Sequence, residues 1–189
     1  NIACLASGYL LITAPGQKVR LLHNTLVADI HQHANILHIE TQEPPRQPLT
    51  FEAVGNLFYS TILLHSFIPP ADMKDAVSWR GRGNLYVGPT GFLNWQHLDN
   101  LSVSDNVIDN LAAWKERWGG EEGSQHVEHV AFQSAAFFQG EPEAAMARLQ
   151  AACDGIRRQL SPQTKAVGPR WELIGPGEAY VHTLAQDGH

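Results

Sequence analysis

The sequence predicts an all-β solenoid, a chain that winds into stacked turns of short strands, with a helical cap at its C-terminal end. Three segments share the pattern strand, Asn, strand, and Asn24, Asn56 and Asn84 are separated by 32 and 28 residues. A repeat of roughly 20 to 50 residues is typical of stacked repeats. The composition agrees, because 16 glycines and 11 prolines among 189 residues indicate many turns, and 43% hydrophobic residues can form a core.

The three segments are alike on both sides of the asparagine. They read Val19-Arg-Leu-Leu-His-Asn-Thr-Leu-Val, Phe51-Glu-Ala-Val-Gly-Asn-Leu-Phe-Tyr and Trp79-Arg-Gly-Arg-Gly-Asn-Leu-Tyr-Val. We expect each Asn to lie where the chain bends sharply, because Asn tolerates a left-handed backbone and Gly55 or Gly83 can assist the bend. The side-chain amides would then hydrogen-bond to one another, which predicts a structural ladder of Asn24, Asn56 and Asn84. Apolar residues alternate around each bend, as expected for strands with one face in a core.

Charge and hydropathy exclude two classes of partner. Thirteen Lys and Arg against nineteen Asp and Glu give a net charge of -6, without the basic stripe that a phosphate backbone requires, so nucleic acid is not expected. The longest nearly apolar run, Leu57 to Ile68, is much shorter than the roughly 20 residues of a membrane-spanning helix, so no membrane insertion is predicted. Because the chain starts without an initiator Met or a signal-peptide pattern, we expect a fragment of a longer protein.

The chain is predicted to form one domain, with strand repeats in residues 1–108 and a helical cap with the C-terminal tail in residues 109–189. Asp109 or Asn110 can cap a short helix that the Gly119-Gly120 pair ends. A second, stronger helix is expected to start near Pro142. The apolar residues at helical spacing are Leu111, Trp114 and Trp118 in the first helix, and Met146, Leu149, Cys153, Ile156 and Leu160 in the second.

The run from Val77 to Tyr86, which leads to Phe92-Leu-Asn-Trp95, is similar to a recurring element of some bacterial proteins with right-handed parallel β-helix domains. In those proteins a Trp-x-Gly-x-x-Asn-x-Tyr stretch precedes an aromatic pair, follows segments like the first repeat here, and leads to a Leu-Ala-Ala-Trp-Lys helix. All three features occur here in that order, with the helix sequence starting at Leu111. Many such domains resemble the C-terminal, extracytoplasmic parts of membrane-anchored Ser/Thr protein kinases.

The resemblance implies a right-handed parallel β-helix with a C-terminal helical cap. It also implies a non-enzymatic recognition or scaffold module of a larger bacterial surface or signalling protein, linked to a Ser/Thr kinase and located at the cell surface or in the periplasm. The implied partners are a polysaccharide or another surface protein. This sequence carries no kinase signature, so an attached kinase would lie elsewhere.

The alternative function is a carbohydrate-active lyase or glycoside hydrolase of pectin-lyase-like fold, and a purely structural spacer is a third. Glycoside hydrolysis needs paired carboxylates. The candidate carboxylates are Glu52, Asp72, Asp75, Asp99, Asp105 and Asp109. The run Asn24-Thr25-Leu26 lacks the Asp that follows Asn-Thr in polysaccharide-cleaving β-helix enzymes, and motifs for nucleophiles, phosphates and dinucleotides are missing. We therefore predict no catalytic residue and no cofactor.

Four residues are the candidates for ligand binding: Arg80, Arg82, Tyr86 and Trp95. The two arginines alternate with glycines, so both guanidinium groups can point from one strand face towards a carboxylate or a sulfated sugar. Aromatic rings beside arginine are typical of a sugar-binding surface. The competing interpretation is that the aromatic residues of this region fill the core, because large rings chiefly supply buried area.

A histidine cluster is the candidate for metal binding. His31 and His33 would project from one face of a strand, with His38 nearby. Zinc needs three or four ligands with supporting partners, and only Asp29 and Glu40 are close in sequence. We therefore predict no metal site, and interpret the histidines as solvent-facing or hydrogen-bonded.

Overall fold

The computed structural model describes residues 2–5, 10–12, 16–28, 35–41, 46–88, 91–97, 99, 104–128 and 142–162. The strands are β1 (Ile2–Leu5), β2 (Leu10–Ile12), β3 (Lys18–Leu22), β4 (Thr25–Ala28), β5 (Asn35–Ile39), β6 (Leu49–Val54), β7 (Leu57–Tyr59), β8 (Ile62–Ser66), β9 (Val77–Arg82), β10 (Leu85–Val87), β11 (Gly91–Gln96), β12 (Ser104–Ile108) and β13 (Gln125–Val127). The helices are α1 (Met73–Ala76), α2 (Leu111–Trp118) and α3 (Pro142–Gln159).

The strands form three sheets in which neighbours are distant in sequence. Sheet A has the order β1-β4-β7-β10-β13, sheet B the order β12-β11-β8-β5-β2, and sheet C the order β3-β6-β9. The described pairs are parallel except β11 with β12, which is antiparallel and carries a register shift between Leu93 and Asn94. Each strand of sheet C leads directly into a strand of sheet A, so the bend between them sets how the two sheets meet.

The fold class differs from the one that the sequence predicts, and that prediction is wrong. An all-β solenoid, in the form of a right-handed parallel β-helix of pectin-lyase-like type, was expected. The described residues instead form three short sheets, one of them mixed, together with helices, which is an α/β-like arrangement. Within the described part of the chain no sheet closes. The asparagine repeat specifies a local bend and the strands on either side of it, whereas sheet closure depends on long-range packing that a short repeat does not encode.

In the bends between sheets C and A, the residue with the left-handed backbone is the one before the Asn of each repeat, and not the Asn itself as the sequence suggests. The positive φ angles are 53° at His23, 60° at Gly55 and 60° at Gly83, each directly before an Asn of the repeat. Glycine adopts this conformation without steric cost, whereas a residue with a Cβ is strained there. The asparagines therefore do not make the bend themselves, and their side chains are free to hydrogen-bond across it.

Asn24, Asn56 and Asn84 lie side by side and form a continuous amide ladder. The Asn56 Oδ1 accepts hydrogen bonds from the backbone N–H (2.9 Å) and the Nδ2 (3.3 Å) of Asn24. The Asn84 Oδ1 accepts the corresponding bonds from Asn56, both at 3.0 Å. The amides of Asn56 and Asn84 also donate to backbone carbonyls of sheet C, Leu21 O and Ala53 O, both at 2.8 Å. Asn56 and Asn84 are fully buried, so these bonds replace the water that both amides lose.

Aromatic rings pack against one another within the core between the sheets. Phe51 and Trp79 lie at the same register position of β6 and β9, with ring centroids 5.5 Å apart. Phe58 and Tyr86 likewise share a register position, on β7 and β10, and their rings stack at 5.3 Å. Trp114 of α2 is fully buried and packs edge-on against Trp79 at 5.0 Å. Trp79 and Tyr86 therefore fill the core, as the competing interpretation of the aromatic residues expects.

Both predicted helices are confirmed. Asn110 caps α2 by accepting a hydrogen bond from Ala113 N at 2.9 Å, and Gly119 ends it in a left-handed conformation with φ 68°. The second helix, α3, starts at Pro142 as expected, and Ile156 is fully buried on it. Among the residues that the structure describes, no helix has both the length and the apolar character needed to cross a membrane.

Replacing Asn56 with Val should destabilise the protein by about 1 to 3 kcal/mol, because Asn24, Leu21 O and the buried Asn84 would lose their hydrogen bonds to the amide. Urea denaturation followed by tryptophan fluorescence measures the change. A Thr50→Val variant is the control, since this half-buried side chain lies outside the ladder and should change stability by less than about 0.5 kcal/mol. Equal stability of the Asn56→Val and wild-type proteins would show that the ladder contributes nothing.

Candidate functional site

The exposed face of sheet C is the candidate site, and we call it the basic face. It carries Lys18 and Arg20 from β3, Glu52 from β6, and Arg80 and Arg82 from β9. Burial alternates along these strands, so the residues between them point into the core. Arg20, Glu52 and Arg80 share one register position and form a row across the three strands.

Glu52 is engaged by the two cations of β3. Its Oε2 lies 2.9 Å from Arg20 Nε and 3.5 Å from Lys18 Nζ. The hydrogen bond from Arg20, followed by the charges of Arg20 and Lys18, lowers the pKa of the Glu52 carboxyl. Glu52 is therefore ionised at neutral pH and offsets part of the charge on β3, but not the charge on β9.

Arg80 and Arg82 carry the uncompensated charge of this face. Both are exposed, and neither forms an ion pair with another described residue. They are two positions apart on one strand, which separates their Cα atoms by about 6.6 Å. Glu122 lies opposite Arg82 as a single bridge partner, so the face holds four cations and two carboxylates, a net +2 on a chain of net charge -6.

The four residues predicted to bind a ligand are not brought together. Arg80 and Arg82 lie on the basic face, but Tyr86 is fully buried, with its hydroxyl donating to Glu121 Oε1 at 2.7 Å. Trp95 lies on β11 of sheet B, where it is half-buried and its Nε1 donates to Phe67 O at 3.3 Å. The four candidates are close in sequence but therefore lie in three different environments.

A buried carboxylate, Glu121, ends the amide ladder. It is fully buried and accepts hydrogen bonds from Trp79 Nε1 at 2.6 Å, Tyr86 Oη at 2.7 Å and Asn84 Nδ2 at 3.1 Å, and from the Ser124 hydroxyl. Burial, and then the negative charge of Glu121, raises the pKa of Tyr86 well above its ordinary value, so the phenol stays a donor. Four donors stabilise the carboxylate without a cation among its described contacts.

Two local features make room for this carboxylate. A Cβ at Gly81 would overlap the Glu121 side chain, so only glycine fits there. Glu121 itself has a φ of 68°, a conformation that costs about 1 to 2 kcal/mol for a residue other than glycine. Its hydrogen bonds with four donors offset that strain, which indicates that this side chain is required at the end of the ladder.

A pair of buried histidines lies on sheet B. His38 and His65 occupy the same register position on β5 and β8, with ring centroids 4.7 Å apart, and Phe67 packs edge-on against both. Burial, and then the neighbouring His38, lowers the pKa of His65 to about 4. Burial also lowers the pKa of His38, against the opposing effect of Glu40. Both rings are therefore neutral at physiological pH.

The remaining catalytic and metal candidates lie apart. Asp105 contacts His97, with 3.2 Å between Oδ2 and Nε2, and Asp109 accepts a hydrogen bond from Asn110 Nδ2 at 2.7 Å. In the described part of the chain no group of three or more His, Cys, Asp or Glu is placed to hold a metal ion. The candidate ligands Asp29, His31 and His33 lie outside the described residues.

Lys18 and Arg20 are not among the residues that the sequence predicts for this site, although the sequence contains a signal for Arg20. Arg20, Glu52 and Arg80 each stand four positions before an asparagine of the repeat, so aligning the repeats on that residue would have placed them in one row. Glu121 had no comparable signal, because Ser124 replaces the asparagine in the last repeat position, where its hydroxyl accepts from Asn84 N at 2.8 Å.

Comparisons with known proteins identify no relative. No protein-family model matches this chain, and neither a curated protein nor a solved structure is significantly similar to it. The resemblance to kinase-linked bacterial domains therefore stays an expectation that depends on the sequence motifs alone.

Replacing Glu121 with Gln should destabilise the protein by about 1 to 3 kcal/mol, because the new NH₂ group would face donors instead of accepting from them. Glu122→Gln is the matched control, since it makes the same change on an exposed neighbour and should cost less than about 0.5 kcal/mol. Chemical denaturation of both variants checks this. Similar losses in the two variants would contradict a specific role for the buried carboxylate.

Stability should fall as the pH drops from about 6.5 towards about 4, because the folded pKa of His65 is lowered and the unfolded chain binds the proton more readily. The contribution of the neutral His65 imidazole to the free energy of unfolding is complete above pH 6.5. It is lost progressively as the pH falls to the pKa of His65 in the folded protein, about 4. Urea unfolding across this range measures the slope. In a His65→Gln variant the slope should be smaller, and an unchanged slope would assign the acid sensitivity to other groups.

Proposed function

We propose that this chain is a non-enzymatic recognition or scaffold module of a larger protein, and that it binds an anionic partner on its basic face. The observation that carries the proposal is the pair Arg80 and Arg82, which are exposed on one strand face and form no ion pair with another described residue. The motif resemblance adds the context of a bacterial surface or Ser/Thr kinase-linked signalling protein outside the cytoplasm. The partner is then an acidic polysaccharide or another surface protein.

The chemistry of arginine supports an anionic partner. A guanidinium group presents planar donors that pair with carboxylate or sulfate oxygens, and such charge-assisted bonds are stronger than neutral ones. Because Glu52 is engaged by Arg20 and Lys18, an incoming anion meets Arg80 and Arg82 first. The charge of the face also opposes that of the chain, which favours the approach of an anion to this surface over the rest of the molecule.

The environments of Glu52 and Glu121 favour recognition over catalysis. A catalytic acid or base has to reach the proton that it transfers. Glu121 is fully buried and bonded to four donors, and Glu52 is held by two cations. These are the environments of structural and ion-paired carboxylates. The lyase or hydrolase alternative gains no support from either residue.

Replacing Arg80 and Arg82 together by Ser should weaken binding of an acidic ligand by about tenfold or more, which corresponds to about 1.4 kcal/mol. Suitable probes are polygalacturonate, dextran sulfate and polyglutamate, measured by titration calorimetry. The matched control is Arg157→Ser with Arg158→Ser, which removes the same charge from exposed positions on α3 and should bind like the wild type.

Raising the ionic strength from about 0.05 M to about 0.3 M should weaken binding by the wild type, because salt screens exposed charges. The difference in affinity between the wild type and the variant without Arg80 and Arg82 should then become smaller. Equal weakening by the two double variants would attribute binding to overall charge instead of the basic face. Failure of all three probes to bind would refute the proposed function.

A further inference from the structure

Glu52 lies at the centre of the basic face. It shares a register position with Arg20 and Arg80, one strand away on either side. Lys18 on β3 and Arg82 on β9 lie diagonally from it on the same face of sheet C. Arg20 and Arg80 are two strand spacings apart, about 9.6 Å between Cα atoms. Four cations therefore surround one carboxylate.

This carboxylate pairs with the cations of β3 and not with those of β9. Its contacts with Arg20 Nε, at 2.9 Å, and with Lys18 Nζ, at 3.5 Å, both use Oε2. Among the described residues, Oε1 of Glu52 accepts no hydrogen bond. The face is thus asymmetric, because β3 is partly neutralised, β9 is not, and one carboxylate oxygen between them is available to a ligand.

Glu52 restricts how much negative charge a ligand can bring to the face. The side chains of Lys18 and Arg20 are 59% and 56% exposed, so a ligand can reach them, and it is the bound carboxylate that withholds them. A ligand anion on Arg80 and Arg82 leaves Glu52 in place. A second anionic group directly beside the first would come close to Glu52, where like charges repel each other.

The uncharged groups around Glu52 suit a ligand with hydroxyl groups. A carboxylate oxygen such as Glu52 Oε1 accepts a hydrogen bond from a hydroxyl, and a bond to an ionised acceptor is stronger than a neutral one. Thr50 and Ser78 lie two positions before Glu52 and Arg80, on the same face, and are half-buried. Their hydroxyls can both donate and accept. The face thus matches a ligand that alternates a carboxylate with hydroxyls.

We propose that Glu52 is the specificity-determining residue of the basic face, and that it selects an acidic polysaccharide with one carboxylate per sugar over a densely sulfated chain. The sugar carboxylate pairs with Arg80 and Arg82, and a hydroxyl of the same chain donates to Glu52. Glu52 therefore contributes a favourable contact to this ligand and a repulsive one to its competitor. The inference rests on the proposed recognition function, because it names the class of ligand that the same face binds.

A Glu52→Gln variant of the whole chain tests the inference, with polygalacturonate and dextran sulfate as probes in titration calorimetry. Its affinity for dextran sulfate should rise by about tenfold or more, because the repulsion is removed and the β3 cations become available. Its affinity for polygalacturonate should rise by less than about threefold, since the hydroxyl loses a charged acceptor. Glu128→Gln is the matched control, because it removes the same charge from an exposed position directly after β13 of sheet A.

The salt dependence of binding is a second readout, which a purely structural role of Glu52 would not change. The slope of log K against log salt reports how many protein cations contact a polyanion. For dextran sulfate this slope should become steeper by about one to two units in the Glu52→Gln variant, because Arg20 and Lys18 join the contact. It should stay the same in the Glu128→Gln variant.

Three results would overturn the inference. Equal gains for the two polymers, or equal effects of the two variants, would show that Glu52 acts through net charge alone, and anion binding by the basic face would stand. An unchanged salt slope would show that Glu52 does not withhold the β3 cations. Tighter binding of polyglutamate than of polygalacturonate by the wild type would make the partner an acidic protein. If neither the wild type nor Glu52→Gln binds any of these probes, the proposed function itself fails.

Discussion

The amide ladder is the interaction on which the rest of this structure depends. A buried asparagine needs partners for both ends of its amide, and in this chain the partners are the next asparagine and a carbonyl of sheet C. One side chain thus joins two turns of the chain and two sheets. With Asn56 and Asn84 fixed, β6 and β9 align residue for residue, and that register brings Glu52 next to Arg80 on the basic face. The candidate site is therefore a consequence of buried hydrogen bonds just beyond the ends of its strands.

The last amide of a buried row needs an acceptor for its donor group, and the end of the ladder shows how this chain supplies one. A further asparagine would need another acceptor, whereas a carboxylate only accepts and stops the series. Glu121 does this, with Trp79 and Tyr86 donating from the aromatic core. The surrounding sequence is adapted to it, because Gly81 leaves space for the side chain. The same segment pairs with the C-terminal end of β9, so it contributes to both the ladder and the sheet.

Sequence reasoning recovered local features better than their assembly. The repeat identified the three asparagines that lie in register, and apolar spacing with Asn110 and Gly119 identified α2, because caps and periodicity are local signals. It placed the left-handed backbone on Asn instead of the residue before it. It chose the wrong fold class and combined Tyr86 with Arg80, because the side on which a residue points depends on strand register.

The ladder also has a polarity. Each amide donates towards Glu121, and Asn56 and Asn84 accept from the opposite side, so the dipoles of the three side chains are aligned head to tail. Aligned hydrogen bonds polarise one another, and the electropositive end of this row meets a carboxylate as the N-terminus of a helix meets an anion. The electronegative end is then Asn24 Oδ1. One collective dipole thus has two effects. It stabilises the Glu121 carboxylate in the core, and it strengthens Asn24 Oδ1 as an acceptor at the far end of the row.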